Sequence, residues 1–176
     1  MHTKAVYRAA QGFNDAGLVA LRFNFRGVGT STGSHDEGHG EQDDVRAALD
    51  WLEGEYPHLP LMVGGFSFGS MVGLSVGVYD DRAVGLLGLG LPVEMDAYDF
   101  SYLRETDKPT LVVQGENDEF GSGSAVAAAL QDLGPHITLV RVPDTDHYFD
   151  DKLQELRTAV AGYFGSGPGS RLLAGW

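Results

Sequence analysis

Apolar residues in this chain fall into short unbroken runs, separated by longer stretches in which they recur three and four positions apart. Runs of this kind over residues 18–23, 61–64, 84–89, 109–114 and 137–142 predict strands. Continuous rather than alternating apolarity means that both faces of each strand are covered, as in a parallel sheet. Between the runs, Val6, Ala9, Ala10 and Phe13 make a helical stripe over 3–13. Further helices are predicted at about 42–53, with Asp43 and Asp44 in the first turn, and over 67–79. Val126, Leu130 and Leu133 mark the next helix, and Leu153, Leu156, Val160 and Phe164 the last. The alternation implies an α/β fold: a doubly wound, mostly parallel sheet of about five strands with helices on both faces. Gly69, Gly73 and Gly77 recur every fourth residue, a spacing that lets a buried helix lie close to the sheet. Residues 1–164 read as one domain, and 165–176, opening on Gly165-Ser166-Gly167-Pro168-Gly169, as a flexible tail.

The chemistry concentrates at strand ends. The run 61–64 leads into Gly65-Phe66-Ser67-Phe68-Gly69 and then directly into a helix. A sharp strand-to-helix turn lifts its central serine clear of the sheet, and the small residues two before and two after let the backbones pass. Ser67 is therefore a candidate nucleophile; the plainer reading is a serine that caps the helix. The following helix aims its first N–H groups, that of Phe68 among them, at an oxyanion formed beside Ser67. A nucleophilic serine needs a base, and the base an orienting acid. The run 109–114 ends in Gly115-Glu116-Asn117-Asp118, and the run 137–142 in Pro143-Asp144-Thr145-Asp146-His147. Asp118 and His147 thus fall on the same sheet edge as Ser67, in the order serine, acid, histidine. Glu116, Asp144 and Asp146 are further candidates for the acid. His136 precedes its strand, at the opposite edge, and is rejected as the base.

These motifs resemble those of the α/β-hydrolase superfamily, and most of all its small, lidless branch related to dienelactone hydrolases and short-chain esterases. Arg26-Gly27-Val28-Gly29-Thr30-Ser31, Gly38-His39-Gly40-Glu41-Gln42-Asp43-Asp44, the serine elbow, Gln114-Gly115-Glu116-Asn117-Asp118 and Asp146-His147-Tyr148-Phe149 carry the likeness, which covers roughly residues 3–164. The resemblance implies a serine hydrolase, carboxylesterase-like, that cleaves short-chain esters through an acyl-enzyme. Ser67, His147 and Asp118 would be its triad and the Phe68 N–H an oxyanion donor. Phe66 and Phe68 would supply one core anchor and one wall of the acyl pocket. The segment 92–108 leaves no room for a large lid. In such proteins a loop after the third strand carries a second oxyanion donor, and that strand lies between the strands matching 18–23 and 61–64. No counterpart is found here. Either an N-terminal piece is missing, which is the favoured reading, or the strands pair differently. The alternatives are a non-catalytic or crippled hydrolase-like chain, and a thioesterase or peptidase of the same fold.

Composition narrows the partners. The chain has no cysteine, so thiolate chemistry, disulfides and cysteine-held metals are excluded. A formal net charge of −13 argues against nucleic acid and anionic membrane surfaces, whose phosphates it would repel. No signal-peptide core or apolar span near the roughly 20 residues of a membrane helix is present, so a cytoplasmic location is expected. His35, Asp36, Glu37, His39, Glu41 and Asp43 offer metal-type side chains, but in no zinc spacing, and read as a solvated acidic loop. Gly27-Val28-Gly29 with Gly33 lacks the spacing and the following helix of a dinucleotide loop. Neither cofactor nor metal is expected. The expected partners are a small-molecule ester and, through exposed strand edges, a second copy of the chain.

Overall fold

The computed structural model describes residues 3–95 and 98–173. Strands β1 (Leu61–Phe66), β2 (Ala83–Leu89), β3 (Thr110–Gly115) and β4 (Ile137–Val142) form one sheet in the order β1-β2-β3-β4. All three ladders are parallel, with Gly65 opposite Gly88, Leu87 opposite Leu111 and Val113 opposite Val140. Helices α1 (Lys4–Asp15), α2 (His39–Glu55), α3 (Phe68–Tyr79), α4 (Gly123–Leu130) and α5 (Leu153–Gly165) cover both faces. The period of two in the strands sorts the core into two layers. Leu87, Leu89, Leu111 and Val113 pack with Ala5 and Ala9 of α1 and Leu156, Val160 and Phe164 of α5. Leu86 and Val112 point the other way, onto Val45 and Leu49 of α2, Val72 and Val76 of α3 and Val126 of α4. Gly73 and Gly77 of the α3 stripe face the sheet as their spacing predicts, whereas a Cβ on Gly69 would meet Phe25 Cε2 at 3.7 Å. A Cβ on Gly77 would lie 2.4 Å from Leu86 Cδ2 and 3.3 Å from Val63 Cβ.

The sheet has four strands where the sequence predicts about five. Residues 18–23 carry no strand ladder although their apolar run is genuine. The reason is non-local: a strand exists through its neighbours, and no neighbour lies between this segment and β1. Cavities of about 350 and 400 Å³ occupy that gap. Val19 is 67% exposed and Phe23 41%, values a strand buried on both faces would not show. The segment after α5 is described as far as residue 173. Pro168–Leu173 form a short 3-10 helix, and Leu172 packs against the α1/α5 side of the core. Trp176 lies outside the described residues.

Helix α2 begins at His39, ahead of the predicted start, because its entry is stapled by a buried carboxylate. Glu41 is fully buried; its Oε1 accepts from the Asp36 N–H and its Oε2 from the Gly38 N–H, each at 2.9 Å. At this residue the expectation of a solvated acidic loop is corrected. One turn on, Asp44 accepts from the Arg26 backbone N–H at 2.9 Å and from its guanidinium at 2.9 and 3.2 Å, tying the loop after residue 25 to α2. Burial pushes the Glu41 carboxyl up, but the backbone donors and the nearby His35 outweigh it and hold it below its ordinary value. The hydrogen-bonded Arg26 guanidinium does the same for Asp44. A carboxyl whose folded pKa is depressed stabilises the fold fully above its unfolded pKa and loses that contribution as pH falls through the folded one. The urea midpoint should therefore be flat down to about pH 5 and drop below about pH 4. Glu41→Gln should lower stability at pH 7 and flatten the acid drop; an equally steep drop in this variant would dissociate the effect from Glu41.

Candidate active site

Strand β1 ends at Phe66 and α3 begins at Phe68, leaving Ser67 alone at the junction with φ 55° and ψ −123°. A non-glycine residue held there stores on the order of 1–3 kcal/mol of backbone strain. The surrounding backbone fixes it. The Ser67 N–H donates to Leu89 O at 2.9 Å, and its carbonyl accepts from the Ser70 N–H at 2.8 Å and the Ser70 hydroxyl at 2.6 Å. Gly65 is obligatory, since a Cβ on it would lie 1.9 Å from Gly69 O. The N–H of Phe68, at the first position of α3, has no carbonyl four residues back to bond and remains available beside Ser67.

Asp118 stands on the turn after β3, 2% exposed. Its Oδ2 accepts from His147 Nδ1 at 2.8 Å, and its Oδ1 from the Phe120 N–H at 2.8 Å. Because a carboxylate only accepts, this bond places the imidazole proton on Nδ1 and leaves Nε2 free to take one. His147 lies on the turn after β4 and is 3% exposed. Its ring is held between Phe66, with centroids 4.7 Å apart, and the edge-on Phe120 at 4.8 Å. Gly90, at φ +55°, makes room for it: a Cβ there would lie 3.1 Å from His147 Cε1. Ser67 and His147 flank Phe66 but are joined by no hydrogen bond among the described residues. Such contacts commonly tighten only when substrate is bound.

The other acid candidates point elsewhere. Glu116 forms an ion pair with Arg141, Asp146 accepts from the Tyr148 N–H at 3.0 Å, and Asp144 sits exposed on its turn at φ 54°. His136 contacts Leu103 O at 3.1 Å, at the entrance of β4, as its position before that strand predicts. Phe66 contributes to the α1/α5 side of the core, while Phe68 packs edge-on against Phe25 at 5.8 Å on the other side. Both line the cavity of about 350 Å³ that also touches Ser67. Among the described residues no group of three or more acidic or histidine side chains is arranged to hold a metal. Nor is any helix long and apolar enough to cross a membrane.

Gln114 is the residue that sequence reasoning missed. It is fully buried at the end of β3, where its Oε1 accepts from the Leu91 N–H at 2.7 Å. Its Nε2 donates to Asp118 Oδ2 at 2.7 Å and to Gly121 O at 2.6 Å. One amide therefore ties the end of β2, the acid and the turn beyond it. The signal was a polar residue closing an otherwise apolar run, in a strand that buries both faces.

Known proteins share this fold. Residues 1–161 match the family described as alpha/beta hydrolase domain. A lidless a/b serine hydrolase of Xanthomonas campestris is 40% identical, with a TM-score of 0.84 over 93% of this chain and 73% of that one. An alpha-beta serine hydrolase homologue from Coxiella burnetii is 33% identical, with a TM-score of 0.83 over 92% and 76%. An uncharacterised protein of Rickettsia prowazekii (strain Madrid E) is 34% identical over 170 residues, 93% of this chain and 71% of that protein. With its parallel sheet, its strained serine at the strand-to-helix junction and a family match spanning most of its length, the chain belongs to the α/β-hydrolase superfamily.

Proposed function

We propose that this hydrolase-family chain is a serine hydrolase that cleaves short-chain carboxylic esters through an acyl-enzyme. The observation that carries the reading is the buried Asp118–His147 pair, 2.8 Å long, on the same sheet edge as the strained Ser67. His147 Nε2 takes the Ser67 hydroxyl proton as Oγ bonds to the ester carbonyl carbon. Asp118 keeps the ring in the reactive tautomer and stabilises the imidazolium. The carbonyl oxygen, now an oxyanion, receives the Phe68 N–H. Collapse expels the alcohol, which takes the proton from His147. Water, deprotonated by the same nitrogen, then releases the acid and restores Ser67. A fluorophosphonate should label the folded chain on Ser67, located by peptide mass spectrometry, and His147→Ala should depress labelling strongly. One observation favours a second reading, a chain without competent turnover: the missing hydrogen bond between Ser67 and His147. A folded chain that stays unlabelled at high reagent concentration would decide for it.

Chain-length preference follows from the segment joining β2 to β3. Its described part holds one short 3-10 helix, Ser101–Glu105, and nothing large enough to close over a substrate. Each buried methylene is worth about 0.8 kcal/mol only where an apolar wall receives it. Esters of two to about six acyl carbons should therefore be preferred, because this segment offers a longer chain no apolar wall of its own. A steady rise of kcat/KM from acetyl to palmitoyl esters would contradict this.

A further inference from the structure

Among the described residues, three aromatic rings border the imidazole of His147. Phe66 lies 4.7 Å away between centroids, Phe120 edge-on at 4.8 Å and Tyr148 edge-on at 5.3 Å. Phe66 and Phe120 are partly buried, whereas Tyr148 is 52% exposed. A single exposed tyrosine calls for no explanation by itself. This one is held out by its backbone. The residues on either side of it, His147 and Phe149, are both buried. Phe149 takes φ 57°, a left-handed conformation that a bulky side chain rarely adopts, and so returns to the α1/α5 side of the core. Asp146 Oδ1 accepts from the Tyr148 N–H at 3.0 Å and closes the turn that carries it. The Tyr148 ring also meets that of Phe66, with centroids 6.2 Å apart, and Phe66 lines the cavity that touches Ser67. An aromatic surface therefore runs from that cavity out to solvent.

We infer that Tyr148 selects the alcohol half of the substrate, and that this half carries an aromatic ring. The inference rests on the proposed ester chemistry, which fixes where the alcohol goes. His147 gives its Nε2 proton to the leaving oxygen, so that oxygen lies within hydrogen-bond reach of the imidazole. Nδ1 is held by Asp118, so Nε2 faces the other way. The oxyanion turns to the Phe68 N–H at the start of α3. The substituent on the leaving oxygen then passes out along the border of the imidazole. Of the three rings on that border, Tyr148 has the most surface left to offer. An arene laid against it gains more than covered area, because the negative face of one ring meets the positive edge of the other. A saturated ring of the same size covers the area and lacks that attraction. The substrate class is narrowed to short-chain esters of benzyl-type alcohols.

The test compares benzyl acetate with cyclohexylmethyl acetate on the whole 176-residue chain. Both give the same acetyl-enzyme, so kcat/KM differs only through the alcohol. After division by the same ratio for hydroxide in solution, the chain should favour benzyl acetate by about three- to tenfold. Tyr148→Phe should keep this preference and Tyr148→Leu should abolish it. If Tyr148 merely shields His147, Tyr148→Leu lowers both esters alike and the preference survives, which would overturn the inference. A chain that turns over both esters without preference would also overturn it. Loss of the preference in Tyr148→Phe would do the same, since the hydroxyl would then be the recognising group. A second measurement needs no turnover. In Ser67→Ala, benzyl alcohol at tens of millimolar should give nuclear Overhauser contacts to the Tyr148 ring, assigned by their loss in Tyr148→Leu, and cyclohexylmethanol weaker ones. Such contacts in a chain that hydrolyses neither ester would keep Tyr148 as an arene-binding residue and defeat the ester chemistry alone. Neither contacts nor turnover would defeat both.

Discussion

Ser67→Ala should lower kcat for p-nitrophenyl acetate by roughly 10⁴–10⁶ while leaving KM within a few fold. The size follows from what is lost. The alanine keeps the Cβ, the helix N-terminus and the Asp118–His147 pair, so binding and oxyanion stabilisation persist while the atom that forms the bond is gone. The elbow also supplies a control for misfolding. Ser67 sits at φ 55° and ψ −123°, a conformation that glycine adopts with little penalty. Ser67→Gly should therefore stabilise the fold by about 1 kcal/mol relative to Ser67→Ala, although both are inactive. If Ser67→Ala keeps more than a tenth of wild-type turnover, Ser67 is not the nucleophile. If glycine gives no gain over alanine in urea melts, the backbone at this position is not strained.

What the sequence reveals and what it hides divides along the range of the interactions. The elbow is local: strand, Gly65, Ser67, Gly69 and helix are contiguous, and the strain at Ser67 follows from that pattern. Asp118 and His147 are legible because the end of each apolar run fixes which sheet edge the next turn occupies. The choice of Asp118 over Glu116, two residues away, is not local, since it depends on Glu116 meeting Arg141 of β4. Glu41 looks like one more acid in a charged loop, and its burial emerges only from the backbone donors folded around it. Residues 18–23 fail as a strand for the same reason: their apolar pattern is right, but pairing is a property of two segments. The role of Gln114 was hidden because Leu91, a partner of its amide, lies 23 residues earlier and meets it only across the β2/β3 ladder.

Asp118→Asn should cost about 10⁴ in kcat, because an NH2 turned toward His147 holds the imidazole in the tautomer that presents a proton to Ser67, and in either orientation the imidazolium loses its carboxylate. Gln114 should act through the same carboxylate. Its Nε2 lies 2.7 Å from Asp118 Oδ2, the oxygen that also accepts from His147, so it fixes the acid's position from behind. Gln114→Leu removes that donor and strands the Leu91 N–H and the Gly121 carbonyl in a buried site. Each buried group left without a partner costs about 1–3 kcal/mol, so stability should fall noticeably. A purely structural role would stop there. A positioning role predicts more: kcat should fall about 10–100-fold with KM unchanged, as expected of a misaligned group. The discriminating measurement is the double variant. If Gln114 works by aligning Asp118, then adding Gln114→Leu to Asp118→Asn should lower kcat by no more than about threefold, because contacting residues of one network are not additive. A full multiplicative loss in the double variant would show that Gln114 supports the fold and not the acid.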